Sequence, residues 1–475
     1  MESLPRKLSL TDRRTLPSLI GAVTRPLRPH ALSSRHGTSS GLLDRHTFTI
    51  DYTTRSPRLP GRSPVAVLVD VLDLPIAEPC QAFGMASLET RVRQDAARIE
   101  AALDGQADVH HMGGSRFAFI VELPTRDAVE RLVEALHLRL TQPREGAAQP
   151  LRPLVHVGLC QAETGKDSAD DIIRGMFVGL HWAVSSQVTY CWYSAPRDES
   201  LRREYHLLAG ARDGLRHDEF HLLYQPRFRG SDLSAVSAEA LIRWDHPRLG
   251  PVSPAEFIPV FERNALMEKV TEWVVDRALK QLSCWKRDGI TLGLSINLSA
   301  RNVARAGMAD ALVARIHADG LRCSDLEIEI TEGEWLRVNS LPGEQLRRMA
   351  SAGIRLALDD FGSGYSNFAY LTELPIHTLK LDKSLIDGIS TDTRARLKVR
   401  AIIGLAHDLG YTAVAEGAET ADQVTTLREL GCDQIQGFAL CRPISATELT
   451  DRLTVAPTCS NEPGLHPRMD CAACV

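Results

Sequence analysis

The chain has 475 residues, 44% hydrophobic and 24% charged, with a formal net charge of −5. At roughly 150 residues per domain, that length predicts two or three domains. The balance excludes a wholly disordered chain, a collagen-like repeat and a polybasic nucleic-acid tail as its main business. Ten cysteines in such a length do not make a disulfide scaffold. Most stand alone (Cys80, Cys160, Cys191, Cys284), the usage expected of reduced thiols in a cytosol. No apolar run reaches the roughly 18 residues of a membrane span. The best, Val65 to Ile76, is broken by Asp70 and Asp73, so the expectation is a soluble, cytoplasmic protein with no transmembrane segment.

Residues 1–61 are rich in arginine, poor in acid and without sustained periodicity. Such a stretch buries too little apolar surface to offset its ordering entropy, and the sequence predicts a basic, disordered leader. An organelle transit peptide has a similar composition, and a tail touching a membrane or partner is a further alternative. Residues 62–195 read as a small α/β domain. Val65 to Asp70 predicts a strand and Leu88 to Leu103 a helix; Arg116 to Val121, Arg126 to Leu138 and Leu154 to Leu159 predict strand, helix and strand. A connecting helix is expected over 196–215. From 216 to 453, helices repeatedly stop at a glycine followed by a short β-rich run, at Gly289, Gly320, Gly353, Gly410 and Gly431. Glycine past a helix end takes the left-handed conformation other residues resist. Serial units of this kind predict parallel strands with helical crossovers, and their number and length predict closure into a (βα)8 TIM-like barrel. The tail, 454–475, carries Cys459, His466, Cys471 and Cys474. These are zinc-ligand types in no standard spacing, and flexible reduced thiols are expected.

A polar group ends each predicted barrel strand: Glu239, Asn297, Glu329, the pair Asp359 and Asp360, Lys380, Glu416 and Gln436. In a barrel the C-terminal strand ends converge on one face, so these groups share a pocket. One or two carboxylates there would pass as surface residues; eight polar groups in register do not. Two carboxylates about 5 Å apart repel by roughly 3 kcal/mol at an effective dielectric near 20. Five in one cavity therefore demand raised pKa values or cations. Two divalent ions together with Lys380 balance the charge, and oxygen ligands with one Asn suit Mg²⁺ or Mn²⁺ rather than zinc. Such an ion pair is the usual clamp for in-line attack on a phosphodiester.

At these positions the sequence resembles the EAL-domain cyclic di-GMP phosphodiesterases of bacteria. The blocks that carry the resemblance lie between about 205 and 450. They are Glu239-Ala240-Leu241, Tyr224-Gln225-Pro226, Asn297-Leu298-Ser299, Glu329-Ile330-Thr331-Glu332, Asp359 to Ser366, Lys380-Leu381-Asp382, Ala415-Glu416-Gly417 and Gln436-Gly437. The resemblance implies hydrolysis of cyclic di-GMP to linear 5′-pGpG with two Mg²⁺ or Mn²⁺ ions. It implies Glu239, Asn297, Glu329 and Asp359 as ligands of one ion, and Asp359, Asp360 and Glu416 as ligands of the second. Lys380 would hydrogen-bond the attacking water, and Glu416 is a candidate general base. Gln225, Arg243 and Gln436 would contact substrate, and Glu332 would brace the loop from Asp360 to Ser366. A homodimer through the barrel is also implied. Asn264-Ala265 and Cys441-Arg442-Pro443 depart mildly from the family pattern, away from the chemistry.

The smaller domain is similar to a GGDEF domain, the diguanylate cyclase module that often precedes EAL. Its signature here reads Gly113-Gly114-Ser115-Arg116-Phe117, with a hydroxyl and a cation where two acids belong. Asp70 matches one metal position, but no partner is recognisable from Asp73 to Gly84, and Gly105 lies near the place of the inhibitory-site arginine. The expectation is a degenerate scaffold without cyclase activity; GTP binding by it is left open. The pair His110-His111 is expected to be structural. A receptor that binds cyclic di-GMP without cleaving it, signalling to an unidentified regulatory protein, is the alternative function. A general two-metal nuclease or phosphatase is disfavoured by the blocks around Arg243 and Gln436, and no nucleic-acid polymer is expected as partner.

Overall fold

A computed structural model describes residues 42–54, 64–72, 85–143, 152–162, 166–264, 266–331, 341–362, 371 and 375–454. Most of the expected leader, residues 332–340 with Glu332, residues 363–370, Ala265 and the tail with Cys459, His466, Cys471 and Cys474 lie outside the described residues. The chain divides into two compact units, Met1–Leu201 and Arg202–Val475. The division falls within the helix Ala195–Arg216, where the sequence predicts a connecting helix.

The first unit holds a six-stranded sheet: β1 (Leu43–Asp44), β2 (Val65–Leu72), β3 (His110–Gly113), β4 (Arg116–Val121), β5 (Leu154–Gln161) and β6 (Tyr190–Trp192), in the order β1-β3-β4-β2-β5-β6. β2 is apolar on both faces and is buried almost throughout, as a central strand covered by helices on both sides must be. β3 and β4 form a hairpin turned by Gly113 and Gly114, both at positive φ. Part of the expected leader is structured: β1 is followed by the helix Arg45–Thr54. Phe48 and Tyr52, four residues apart on one helix face, are buried against Ala66, Leu68 and Ile120. Two aromatics in a polar ten-residue run give too weak a periodicity to read in advance. His110 is buried and its Nε2 lies 2.9 Å from Asp51 of that helix, a structural role.

The second unit is a closed barrel. Its strands are β7 (Phe220–Arg229), β8 (Ala235–His246), β10 (Gly293–Asn297), β11 (Leu326–Thr331), β12 (Arg355–Phe361), β13 (Thr378–Leu381), β14 (Thr412–Ala415) and β15 (Gln434–Ile435). The short β9 (Gly250–Val252) pairs outside, on β8. The pairing of β10 with β8 closes the ring. Gly289, Gly320, Gly353, Gly410 and Gly431 all take φ between 70° and 92° just before their strands, as the helix-stop reading requires. One strand departs from the parallel pattern: β7 runs antiparallel to both β8 and β15. Only residues 230–234 join β7 to β8, too few for a crossover, so the two form a hairpin. Outward-facing Phe220 stacks on Trp244 at 4.5 Å and meets Phe257 and Phe261 of the next helix. This apolar shell packs the helices onto the barrel and leaves the alternate, inward positions for polar groups.

Candidate active site

The polar groups expected at the strand ends meet around one ammonium. Lys380, on β13, is 1% exposed. Its Nζ lies 2.5 Å from Glu329, 2.6 Å from Glu416, 2.9 Å from Asp359 and 3.7 Å from Glu239. These carboxylates come from β8, β11, β12 and the residue following β14. The register explains the convergence: Ser295 pairs with both Glu239 and Glu327, and Asn297 with Glu329, so inward side chains of neighbouring strands sit at matched heights. Asn297 donates from Nδ2 to Glu239 Oε1 at 2.8 Å.

Asp359 and Asp360 are consecutive, and in a regular strand they would face opposite sides. The register between β12 and β13 shifts between Leu358 and Phe361, and Asp360 takes φ 55°. This irregularity turns Asp360 inward, and oxygens of Asp359, Asp360 and Glu416 lie within 4.8 Å of one another. After Glu416 the chain swings away at Gly417, at φ 67°, where a Cβ would lie 2.6 Å from the Lys383 side chain.

Charge is unevenly compensated. Burial would lower the Lys380 pKa, but Glu239, Glu416 and Asp359 outweigh it and hold the ammonium above the ordinary lysine range. For Glu239, burial is opposed by Lys380, Arg227, Gln436 and Asn297, and its carboxyl lies below the usual range. Glu416 goes the other way. Burial raises it, Lys380 offsets this only in part, and Asp359 and Glu239 add repulsion. Asp360 is also raised, by burial and then by Asp359. Positive charge and amide donors thus outweigh burial at Glu239, while at Glu416 and Asp360 burial and the neighbouring carboxylates outweigh what Lys380 supplies. An all-oxygen set short of cations fits hard divalent ions.

Gln436 follows β15 and donates from Nε2 to Glu239 Oε2 at 2.8 Å and to Gln225 Oε1 at 3.1 Å; Gln225 donates to the Cys441 carbonyl at 3.0 Å. Arg243 stands apart. It shares the inward face of β8 with Glu239 but lies four residues along, and its guanidinium donates to the Ile242 carbonyl at 2.8 Å. It lines a cavity of about 590 Å³ that opens beside the carboxylates, with Leu241, Pro259, Val270, Asn297 and Ser299. Ser299 Oγ is buried there without a hydrogen-bond partner. Two residues escaped the sequence reading: Arg227, two positions after Gln225, and Glu327, two before Glu329. That spacing puts each on the same strand face as a predicted site residue.

In the first unit, Asp70 on β2 is buried and faces Arg116 across the strand pair. Ser115 Oγ donates to one carboxylate oxygen at 2.5 Å and Arg116 Nε to the other at 3.3 Å.

The EAL domain profile matches residues 209–443. A cyclic di-GMP phosphodiesterase of Pseudomonas aeruginosa is 34% identical over 358 residues, 75% of this chain and 61% of that protein. An uncharacterized protein of Mycobacterium tuberculosis is 31% identical over 436 residues, 89% of this chain and 69% of that one. The solved structure of the EAL enzyme Bd1971, in its cAMP and cyclic di-GMP bound form, has a TM-score of 0.53. It covers 83% of this chain and 95% of its own at 20% identity, a likeness of fold. The chain spans about half to two-thirds of the length of the curated relatives it matches. Among the described residues, no helix is long and apolar enough to cross a membrane.

Proposed function

This chain belongs to the EAL-domain family, and from that premise we propose that it hydrolyses cyclic di-GMP to linear 5′-pGpG. The observation that carries the proposal is the buried Lys380 ammonium among four carboxylates, beside the convergent oxygens of Asp359, Asp360 and Glu416. Two Mg²⁺ or Mn²⁺ ions held by Glu239, Asn297, Glu329, Asp359, Asp360 and Glu416 would supply Lewis acidity and a water of lowered pKa at the scissile phosphate. Lys380 is held in a fixed position among the carboxylates, from which its ammonium would hydrogen-bond the attacking water. Glu416, its carboxyl raised by burial, is the group suited to accept a proton. Arg243 lines the cavity next to the cluster, where a guanidinium binds a phosphate oxygen through two parallel hydrogen bonds. Gln225 and Gln436, joined by a hydrogen bond beside Glu239, are the substrate contacts.

The first unit is a degenerate GGDEF-like domain without cyclase activity. The Arg116 guanidinium stands on Asp70, supplying in the chain itself the positive charge that a metal ion would bring. The barrel pairs with a second copy as a homodimer. Sedimentation of the purified chain tests the dimer.

The deciding experiment incubates the full chain with cyclic di-GMP and Mn²⁺ or Mg²⁺, with Glu239→Ala as control, and separates nucleotides by chromatography. Linear pGpG from the unaltered protein alone supports the proposal. Tight binding without turnover favours the receptor role instead, and absence of both refutes the assignment. The same chain given GTP and Mg²⁺ is expected to form no cyclic di-GMP.

A further inference from the structure

Beneath the carboxylate cluster, the barrel interior is closed by a second buried cation. Arg227 on β7 is 1% exposed, and every arm of its guanidinium is used. Nε donates to Gln436 Oε1 at 3.0 Å, Nη1 to Glu327 Oε1 at 2.5 Å, and Nη2 to Ser295 Oγ at 2.7 Å and to Glu329 Oε1. One planar group therefore ties together β7, β10, β11 and the residue after β15. Glu327 is itself held from the far side, its Oε2 accepting from Thr378 Oγ1 at 2.7 Å.

Two consequences follow for the residues above. Glu329 has both oxygens assigned, Oε1 to Arg227 and Oε2 to Lys380. The carboxylate plane is thereby fixed, with Oε2 turned toward the cluster. Gln436 has its carbonyl oxygen committed to Arg227, so its amino group must be the end that faces Glu239 and Gln225. Without the arginine the amide is free to flip, which would set its oxygen against the Glu239 carboxylate. We propose that Arg227 is a positioning residue that fixes Glu329 and Gln436 from below, and so sets the affinity of the site for divalent ions and the orientation of its substrate contact. A buried salt bridge that merely stabilises the barrel would need neither the fork nor its four separate acceptors.

The inference rests on the two-metal reading of the site, and its test uses a readout independent of turnover. Mn²⁺ binding to the full-length protein is followed by electron paramagnetic resonance of the free ion, alongside kcat and KM for cyclic di-GMP. Three variants are compared: Arg227→Lys, Glu327→Gln and the paired Arg227→Met with Glu327→Leu. The paired variant replaces the buried ions with apolar groups, an exchange that commonly leaves stability intact. Loss of an outer-shell partner typically weakens metal binding by about 10–100-fold. That loss is expected in Arg227→Lys, since an ammonium cannot reproduce the fork, and equally in the paired variant even where its melting temperature matches the unaltered protein. Mn²⁺ affinity unchanged in Arg227→Lys, or restored together with stability in the paired variant, would overturn the proposal. If the unaltered protein binds Mn²⁺ but leaves cyclic di-GMP intact, hydrolysis is refuted while the Arg227 comparison still decides. An unaltered protein that takes up no Mn²⁺ overturns both.

Discussion

Replacing Lys380 by methionine keeps the side-chain volume and removes the ammonium on which the site is built. At the 2.6 Å separation from Glu416, one such contact is worth about 6 kcal/mol at an effective dielectric near 20, before desolvation is counted. Desolvation of both ions consumes much of that, and breaking a buried pair from one side costs about 3–5 kcal/mol net. The effect belongs at the upper end here, because Glu329 and Asp359 lose the same partner. For a unit of this size each kcal/mol moves the melting temperature by about 2–4 °C, so a drop of roughly 10 °C or more is expected in EDTA. Thermal unfolding followed by near-ultraviolet circular dichroism measures it. Mn²⁺ should restore stability to the variant more than to the unaltered protein, since the ion returns positive charge to the same carboxylates; at 100 times its dissociation constant a ligand contributes about 2.7 kcal/mol. A variant as stable as the unaltered protein in EDTA would refute the reasoning. It would mean that these carboxylates are not held ionised around Lys380.

Three other outcomes test separate features. Asp360→Asn keeps a residue that tolerates φ 55° but removes a carboxylate that burial and Asp359 destabilise; the metal-free melting temperature should rise while Mn²⁺ affinity falls about tenfold or more. Gly437→Ala places a Cβ 2.1 Å from the Ala418 carbonyl oxygen. It should cost about 1–3 kcal/mol and raise KM for cyclic di-GMP by displacing Gln436, with unfolding and kinetics measured on one preparation. The Cys160 and Cys432 thiols are pushed up to about 12 by burial. Only the thiolate reacts, so at pH 8 both should resist iodoacetamide in the native protein. Labelling mapped by mass spectrometry should increase about tenfold per pH unit as long as the fold persists. Rapid modification of either at pH 8 would contradict their burial.

Much of the fold was legible because its signals are local. A glycine that ends a helix is demanded by its own backbone conformation, and five of them, each before a β-rich run, spell out the barrel without reference to distant residues. The catalytic candidates were legible because strand ends in a barrel converge by topology, whatever the intervening sequence. Leu326 to Ile330 marks where this legibility stops. Its alternation of apolar and acidic residues would ordinarily put the acids in water, yet Leu326, Ile328 and Ile330 face the helices while Glu327 and Glu329 point into a closed interior. Which face is inside depends on closure of the whole sheet. The inward turn of Asp360 likewise depends on a register shift between two strands, which neither strand encodes alone. The β1 strand and the helix Arg45–Thr54 are held by Phe48 and Tyr52 against a sheet formed much later in the chain, so a short polar segment gave no warning of them. Arg227 is the fullest case. Its partners Glu327 and Glu329 lie 100 and 102 residues away and Gln436 lies 209 away. The sequence by itself determined the barrel and the ring of polar strand ends, because those follow from backbone preference and periodicity. Only the tertiary structure decided which charges share a cavity and which cation each carboxylate answers to, because Coulomb interactions and desolvation depend on distances that chain order does not contain.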